Sequence, residues 1–132
     1  MLQRIALRLA SLPDAAQVLI ACSGGADSTA LAVLTARARP DLRVTLAYVA
    51  HGLRGPDVDA AEQARVAALA AQLGAEHVAL PVTVVPSGAG IESDARDARH
   101  TALEAEASRR GATAVLLGHH ADDQAETLLL RL

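Results

Sequence analysis

Residues 17–29 read Gln17-Val18-Leu19-Ile20-Ala21-Cys22-Ser23-Gly24-Gly25-Ala26-Asp27-Ser28-Thr29: a short apolar run, two adjacent glycines and a cluster of hydroxyl and carboxylate side chains. Gln17 to Ala21 has the length and content of a buried strand, and the stretch from Asp27 to Arg39 carries a helical pattern stopped by Pro40. A strand that passes through two glycines directly into a helix can turn sharply, because neither residue carries a Cβ. Its free amides, with those of the first helical turn, then face an anion. Ser23, Ser28 and Thr29 add hydroxyl donors. Asp27 would repel bare phosphate unless a cation lay between them, which argues for Mg2+. The plainer alternative is a strand-to-helix turn whose glycines are only geometric and whose serines only cap the helix. This stretch alone leaves both readings open.

Working outward, strand and helix periods alternate along the chain. Leu2, Ile5, Leu9 and Leu12 sit at helical spacing before Pro13, and Arg43 to Ala50 reads as a second buried strand. Asp57 to Leu73 is an Ala-rich helix ended by Gly74, Glu76 to Val82 a third strand, and Thr83 to Gly90 a loop. Ile91 to Arg110 is a long helix ended by Gly111, Thr113 to Leu117 a fourth strand, and Ala121 opens a helix still running at Leu132. The order βαβαβαβ implies an α/β fold with a parallel sheet and right-handed crossovers. The fourth strand is expected at an exposed edge, with less to cover the leucines at 128–130 and 132, so self-association is expected.

Composition narrows the chemistry. A chain of 132 residues fits one domain, and with 52% hydrophobic residues and Tyr48 as the only aromatic, its core must be built from Leu, Val and Ala. The single cysteine, Cys22, excludes an internal disulfide or a CxxC site and reads as a small apolar residue at a strand end. All 12 basic residues are arginine and the pattern GxxxxGK[ST] is absent, so no P-loop lysine serves a γ-phosphate. A net charge of −3 gives no general basic surface for nucleic acid. No apolar run is long enough to span a bilayer and no leader pattern opens the chain, so no membrane association and a cytoplasmic location are expected.

Three polar clusters follow strands: Ser23 to Ser28, His51 to Gly55, and Gly118 to Asp123. In a parallel sheet all three fall at the carboxyl edge, where doubly wound folds bind ligands. His119 and His120 lack nearby cysteines and make a poor zinc set. On the helix from Ile91, Glu92, Arg96 and Arg99 share a face that Leu103 continues, while Ala95, Ala98, Ala102 and Ala105 form a small apolar face expected to pack on the sheet. A Glu92–Arg96 pair that merely stabilises the helix by about 0.3 kcal/mol is the plainer account of those charges.

Ser23-Gly24-Gly25-Ala26-Asp27-Ser28 resembles the SGGxDS loop of the PP-loop family, the N-type ATP pyrophosphatases. Three further stretches are His51-Gly52-Leu53-Arg54-Gly55, Ile91-Glu92-Ser93-Asp94-Ala95-Arg96-Asp97-Ala98-Arg99-His100 and Gly118-His119-His120-Ala121-Asp122-Asp123-Gln124-Ala125-Glu126-Thr127-Leu128-Leu129-Leu130-Arg131. In order and spacing they are similar to the successive motifs of the tRNA(Ile)-lysidine synthase family, with His100 where tyrosine is common. The resemblance implies a Rossmann-like PP-loop domain of the adenine nucleotide alpha hydrolase-like class over residues 1–132, incomplete at its C-terminal end. It implies ligation of L-lysine to C2 of the wobble cytidine in the CAU anticodon of tRNA(Ile). ATP adenylates the C2 oxygen with release of pyrophosphate, and the lysine amine then displaces AMP.

By the same resemblance, Ser23, Gly24, Gly25, Ala26, Asp27, Ser28 and Thr29 hold the pyrophosphate part of ATP, and Asp27 and Asp123 bind Mg2+ or receive the cationic lysine. Arg99, His119 and Arg96 serve the α-phosphate and the adenylated intermediate, Glu126 meets lysine's ammonium charge, and His51 and Arg54 lie toward the nucleotide. Family members hold tRNA mainly through regions beyond this stretch, so the 132 residues alone are expected to bind ATP with Mg2+ weakly and not to modify tRNA. Two alternatives stand beside this. One is another PP-loop adenylating enzyme of the tRNA thiolation, GMP synthetase or NAD synthetase type, although thiolation enzymes typically use catalytic cysteines this chain lacks. The other is a nucleotide-binding module without chemistry.

Overall fold

Apolar runs of five to eight residues become strands and Ala-rich stretches become helices in a computed structural model of the chain. The order is β1 (Gln17–Ala21), α1 (Ala26–Ala38), β2 (Arg43–Ala50), α2 (Pro56–Leu73), β3 (Glu76–Pro81), α3 (Ile91–Arg110), β4 (Ala114–Ala121) and β5 (Gln124–Arg131). The structure describes residues 6–7, 9–50, 52, 55–121 and 124–131, with the backbone alone for 118–121 and 124–131. Of the N-terminal helix expected over residues 2–12, Ala6, Leu7 and Leu9 are helical, while 1–5 and 8 lie outside the described residues. α2 and α3 stop at Gly74 and Gly111, both left-handed, as their sequences predict.

The sheet runs β3-β2-β1-β4-β5. β1, β2, β3 and β4 are parallel, with Ala21 opposite Ala47 and Ile20 opposite both Leu46 and Leu116. Two apolar layers cover it, separated by the alternation of side chains along each strand. Val18, Ile20, Leu46, Tyr48 and Leu116 pack with Leu31, Ala32, Val66 and Ala70, which places α1 and α2 on one face. Leu19, Ala47, Val115 and Leu117 pack with Leu103 and Ala107 of α3 on the other. The first two crossovers step one way from β1 and the third steps back past it, so a constant hand of connection puts α3 opposite the other two helices.

Two expectations are corrected. Residues 124–131 form a strand, not a helix, and pair antiparallel to β4 with Leu129 opposite Leu116. A short apolar run is ambiguous between helix and strand by period alone. The free edge of β4 decides it, because eight residues of β5 satisfy a row of backbone groups that a helix would leave unpaired. β4 is therefore an inner strand, and β3 and β5 are the edges. On α3 the sheet-facing stripe holds Leu103 and Ala107, whereas Ala105 is exposed and Ala95, Ala98 and Ala102 are only partly buried. One leucine removes more apolar area from water than several alanines, so it sets the rotation of the helix.

Candidate functional site

Because β4 returns to the far side of β1, the strand order reverses between them, and a crevice opens at their carboxyl ends. The glycine turn lies there. The Cys22 amide donates to the Ala47 carbonyl at 2.8 Å, holding the chain in the sheet for one residue past β1 before it turns. Gly24 has φ +82°, and a Cβ built on it lies 3.3 Å from the Glu62 carbonyl oxygen and 3.4 Å from Arg65 Nε. The turn is thus backed directly against α2. Buried Ser28 fixes its shape: its Oγ accepts from the Ser23 amide at 3.1 Å and donates to the Gly25 carbonyl at 3.3 Å. Ser23 Oγ accepts from the Gly25 amide at 3.3 Å and lies 3.3 Å from Ser28 Oγ.

These bonds bear on the capping part of the plainer reading of the turn. α1 has no side-chain cap hydrogen bond; the serines hold the loop rather than the helix end, and the positive end of the helix dipole lies at this turn. Half-buried Asp27 sits in that first turn, between exposed Ala26 and buried Ser28, with Thr29 half-buried beyond. Cys22 is buried with its Sγ 3.7 Å from Ser28 Oγ, the small packed residue its position predicts.

The crevice is lined by Ser23, Ser28, Tyr48, Glu62, Arg99 and Leu117, among others. Arg99 arrives from α3 one and two turns before Leu103 and Ala107 on the same stripe, so the packing of those two side chains aims it inward. Its Nε is buried with no hydrogen-bond partner among the described residues. Burial, and then the charge of Arg96, hold its guanidinium below the usual arginine value. A desolvated cation beside a second cation is stabilised by any anion that comes close. Exposed Arg96 stands three residues before it.

Two lining residues escaped the sequence reading. Glu62 is buried on α2 at the head of the stripe Glu62, Val66, Ala70, and that four-residue spacing was the signal that places it inward. Tyr48 is buried on β2, and its hydroxyl donates to Asp59 Oδ1 at 2.6 Å. The one aromatic of the chain was visible, but its partner eleven residues on was not.

The remaining candidates divide into placed and unplaced. His119 lies on β4 three residues past Leu116, as Ser23 lies three past Ile20, and Ile20 and Leu116 are register partners. Backbone placement therefore brings His119 level with the glycine turn. Glu126 is its cross-strand partner on β5. His51, Arg54 and Asp123 lie outside the described residues. Among the described residues no group of three or more His, Cys, Asp or Glu gathers as a metal cluster. No helix among them is long and apolar enough to cross a membrane.

A parallel sheet with helices on both faces, a glycine turn at the reversal of strand order and an inward arginine define a nucleotide-binding α/β domain. The chain belongs to the PP-loop domain family, which matches residues 1–132. That membership implies ATP as the nucleotide. The tRNA(Ile)-lysidine synthase of Streptomyces coelicolor is 48% identical over 133 residues, covering 98% of this chain and 37% of that protein. The tRNA(Ile)-lysidine synthase of Thermobifida fusca is 47% identical over 135 residues, covering 99% of this chain and 41% of that protein. The chain thus spans about two fifths of the length of these curated relatives. Among solved structures, the U34-tRNA thiolase NcsA of Methanococcus maripaludis superposes with a TM-score of 0.71 at 19% identity, over 90% of this chain and 44% of that one, a likeness of fold.

Proposed function

We propose that the chain is the ATP-binding, adenylating part of a tRNA(Ile)-lysidine synthase. The observation that carries the proposal is the near-half identity to proteins of that name along almost all of this chain, joined to a crevice that presents loop donors and an inward arginine to one anion. The reading divides the labour as follows. The turn amides and the hydroxyls of Ser23 and Ser28 hold the departing pyrophosphate. Arg99 balances the charge that builds on the α-phosphate as the C2 oxygen of the wobble cytidine attacks. Lysine then displaces AMP from the adenylated base, with His119 and Arg96 on the intermediate, Glu126 toward lysine, and His51 and Arg54 toward the nucleotide.

Asp27 suits Mg2+, which takes few protein ligands and completes its shell with phosphate oxygens and water. A carboxylate in the first turn of α1, beside the donors proposed for pyrophosphate, fits that habit. Asp27, with Asp123 as the other carboxylate, would hold the ion, whose chemistry is neutralisation of phosphate charge. With a net charge of −3, the broad tRNA-binding surface falls to regions the longer relatives have in addition. A tRNA-modifying role places the protein in the cytoplasm, and self-association would use an open edge, β3 or β5, which sedimentation at rising concentration tests.

The test is to supply the protein that carries this chain with ATP, Mg2+, lysine and a tRNA bearing the CAU anticodon. AMP and pyrophosphate should appear in step with lysine incorporated into tRNA. Bound ATP that yields neither product would favour a nucleotide-binding module instead.

A further inference from the structure

We propose that Arg65 is a second arginine of the site, one that reaches the pyrophosphate end of the nucleotide from the α2 side of the glycine turn. The proposal rests on the reading of that turn as the holder of pyrophosphate. A Cβ built on Gly24 lies 3.4 Å from Arg65 Nε and 3.3 Å from the Glu62 carbonyl oxygen. Glu62 is itself part of the crevice wall, so the stretch of α2 that presses on Gly24 borders the crevice as well. Helical side chains lean toward the N-terminus of their helix, and α2 begins beyond β2, at the carboxyl edge of the sheet. Arg65 is thereby drawn toward the turn, although its backbone sits midway along the helix.

Charge gives this contact a purpose. Pyrophosphate carries several negative charges, the donors of the turn are neutral amides and hydroxyls, and the chain has a net charge of −3 and no lysine. Few cations are placed to help. Of the arginines whose side chains are described, Arg37 and Arg39 close α1, Arg109 and Arg110 close α3, and Arg43 opens β2, so all five lie toward the amino end of the sheet. Arg65, Arg96 and Arg99 remain, and of these Arg65 stands against Gly24. Arg65 is exposed and makes no ion pair among the described residues. Beyond Nε its guanidinium carries two further nitrogens, a planar fork that suits phosphate oxygens. Arg99 on the inner side and Arg65 on the outer side would then serve different phosphates of one nucleotide.

The experiment measures dissociation constants for inorganic pyrophosphate, ATP and AMP, each in Mg2+, with the protein that carries this chain as wild type, Arg65→Met, Arg65→Lys and Arg37→Met. Arg65→Met keeps the length of the side chain and removes its charge. It should weaken pyrophosphate and ATP alike by roughly three- to tenfold, the scale of one charge-assisted contact at an exposed site. AMP affinity and Tm should stay at their wild-type values. Arg65→Lys restores a positive charge without the fork and should bind pyrophosphate more tightly than Arg65→Met. Arg37→Met, an exposed change at the far end of α1, should bind all three as wild type. Wild-type pyrophosphate affinity in Arg65→Met, an equal loss for AMP, or Arg65→Lys no better than Arg65→Met overturns the proposal and leaves the reading of the turn standing. A wild-type protein that holds neither ATP nor pyrophosphate removes that reading and the proposal with it.

Discussion

Gly24→Ala separates backbone strain from ligand recognition. An L-residue at φ +82° is strained by about 1–2 kcal/mol, and the new methyl meets the Glu62 carbonyl oxygen at 3.3 Å, closer than ordinary van der Waals contact. Against this, alanine narrows the unfolded ensemble and returns about 0.4–1 kcal/mol. The net loss is about 1 kcal/mol, which for a chain of this length lowers Tm by roughly 3–6 °C. Gly74→Ala is the control, since Gly74 has φ +67° and nothing within 4 Å of its added methyl. Both variants should lose a few degrees in thermal unfolding. In Gly24→Ala the turn must also move away from α2, so the amides proposed to face pyrophosphate are displaced and titration calorimetry should show pyrophosphate affinity lost, whereas Gly74→Ala should bind as wild type. Wild-type pyrophosphate binding by a folded Gly24→Ala would refute the argument that the close backing of this turn by α2 shapes the site.

Arg99→Gln should weaken ATP by roughly 10- to 100-fold, the equivalent of one hydrogen bond to a charged group, and should not lower Tm, because it removes a desolvated charge beside Arg96; calorimetry with a thermal melt checks both signs. Ser28→Ala strips the buried acceptor from the Ser23 amide and should destabilise by about 1–2 kcal/mol in urea unfolding. Glu106 accepts from both Arg109 and Arg110, and the Arg109 bond above all holds its carboxyl below the usual 4.5. A depressed folded value means stability that is full above the unfolded value and is lost as pH falls through the folded one. Urea titrations from about pH 6 to pH 3 should therefore show a shallower acid loss in Glu106→Gln than in wild type.

Much of the fold was legible because its signals are local. The boundaries of β1, β2 and α3 follow from apolar runs and from breakers at Pro40, Gly90 and Gly111, and the parallel order follows from alternation. Residues 124–131 were not legible. Their apolar run fits either period, and the choice fell to a hydrogen-bonding edge supplied by β4, a partner no local window contains. The rotation of α3 was misjudged for a related reason: counting alanines identified a small face, whereas the area buried by Leu103 determines which face docks.

The site divides in the same way. Sequence by itself supplied the glycine turn, its hydroxyls, Asp27 and the arginines of α3, because chemistry-bearing residue types at fixed spacing are written in the chain. Tertiary structure alone decided that the serines close the loop on itself, that α2 backs Gly24, that Arg99 turns inward with no partner for its Nε among the described residues, and that Tyr48 and Glu62 belong to the crevice. Each of these depends on distances between elements far apart in sequence, and those distances are fixed only when the two apolar layers pack against the sheet.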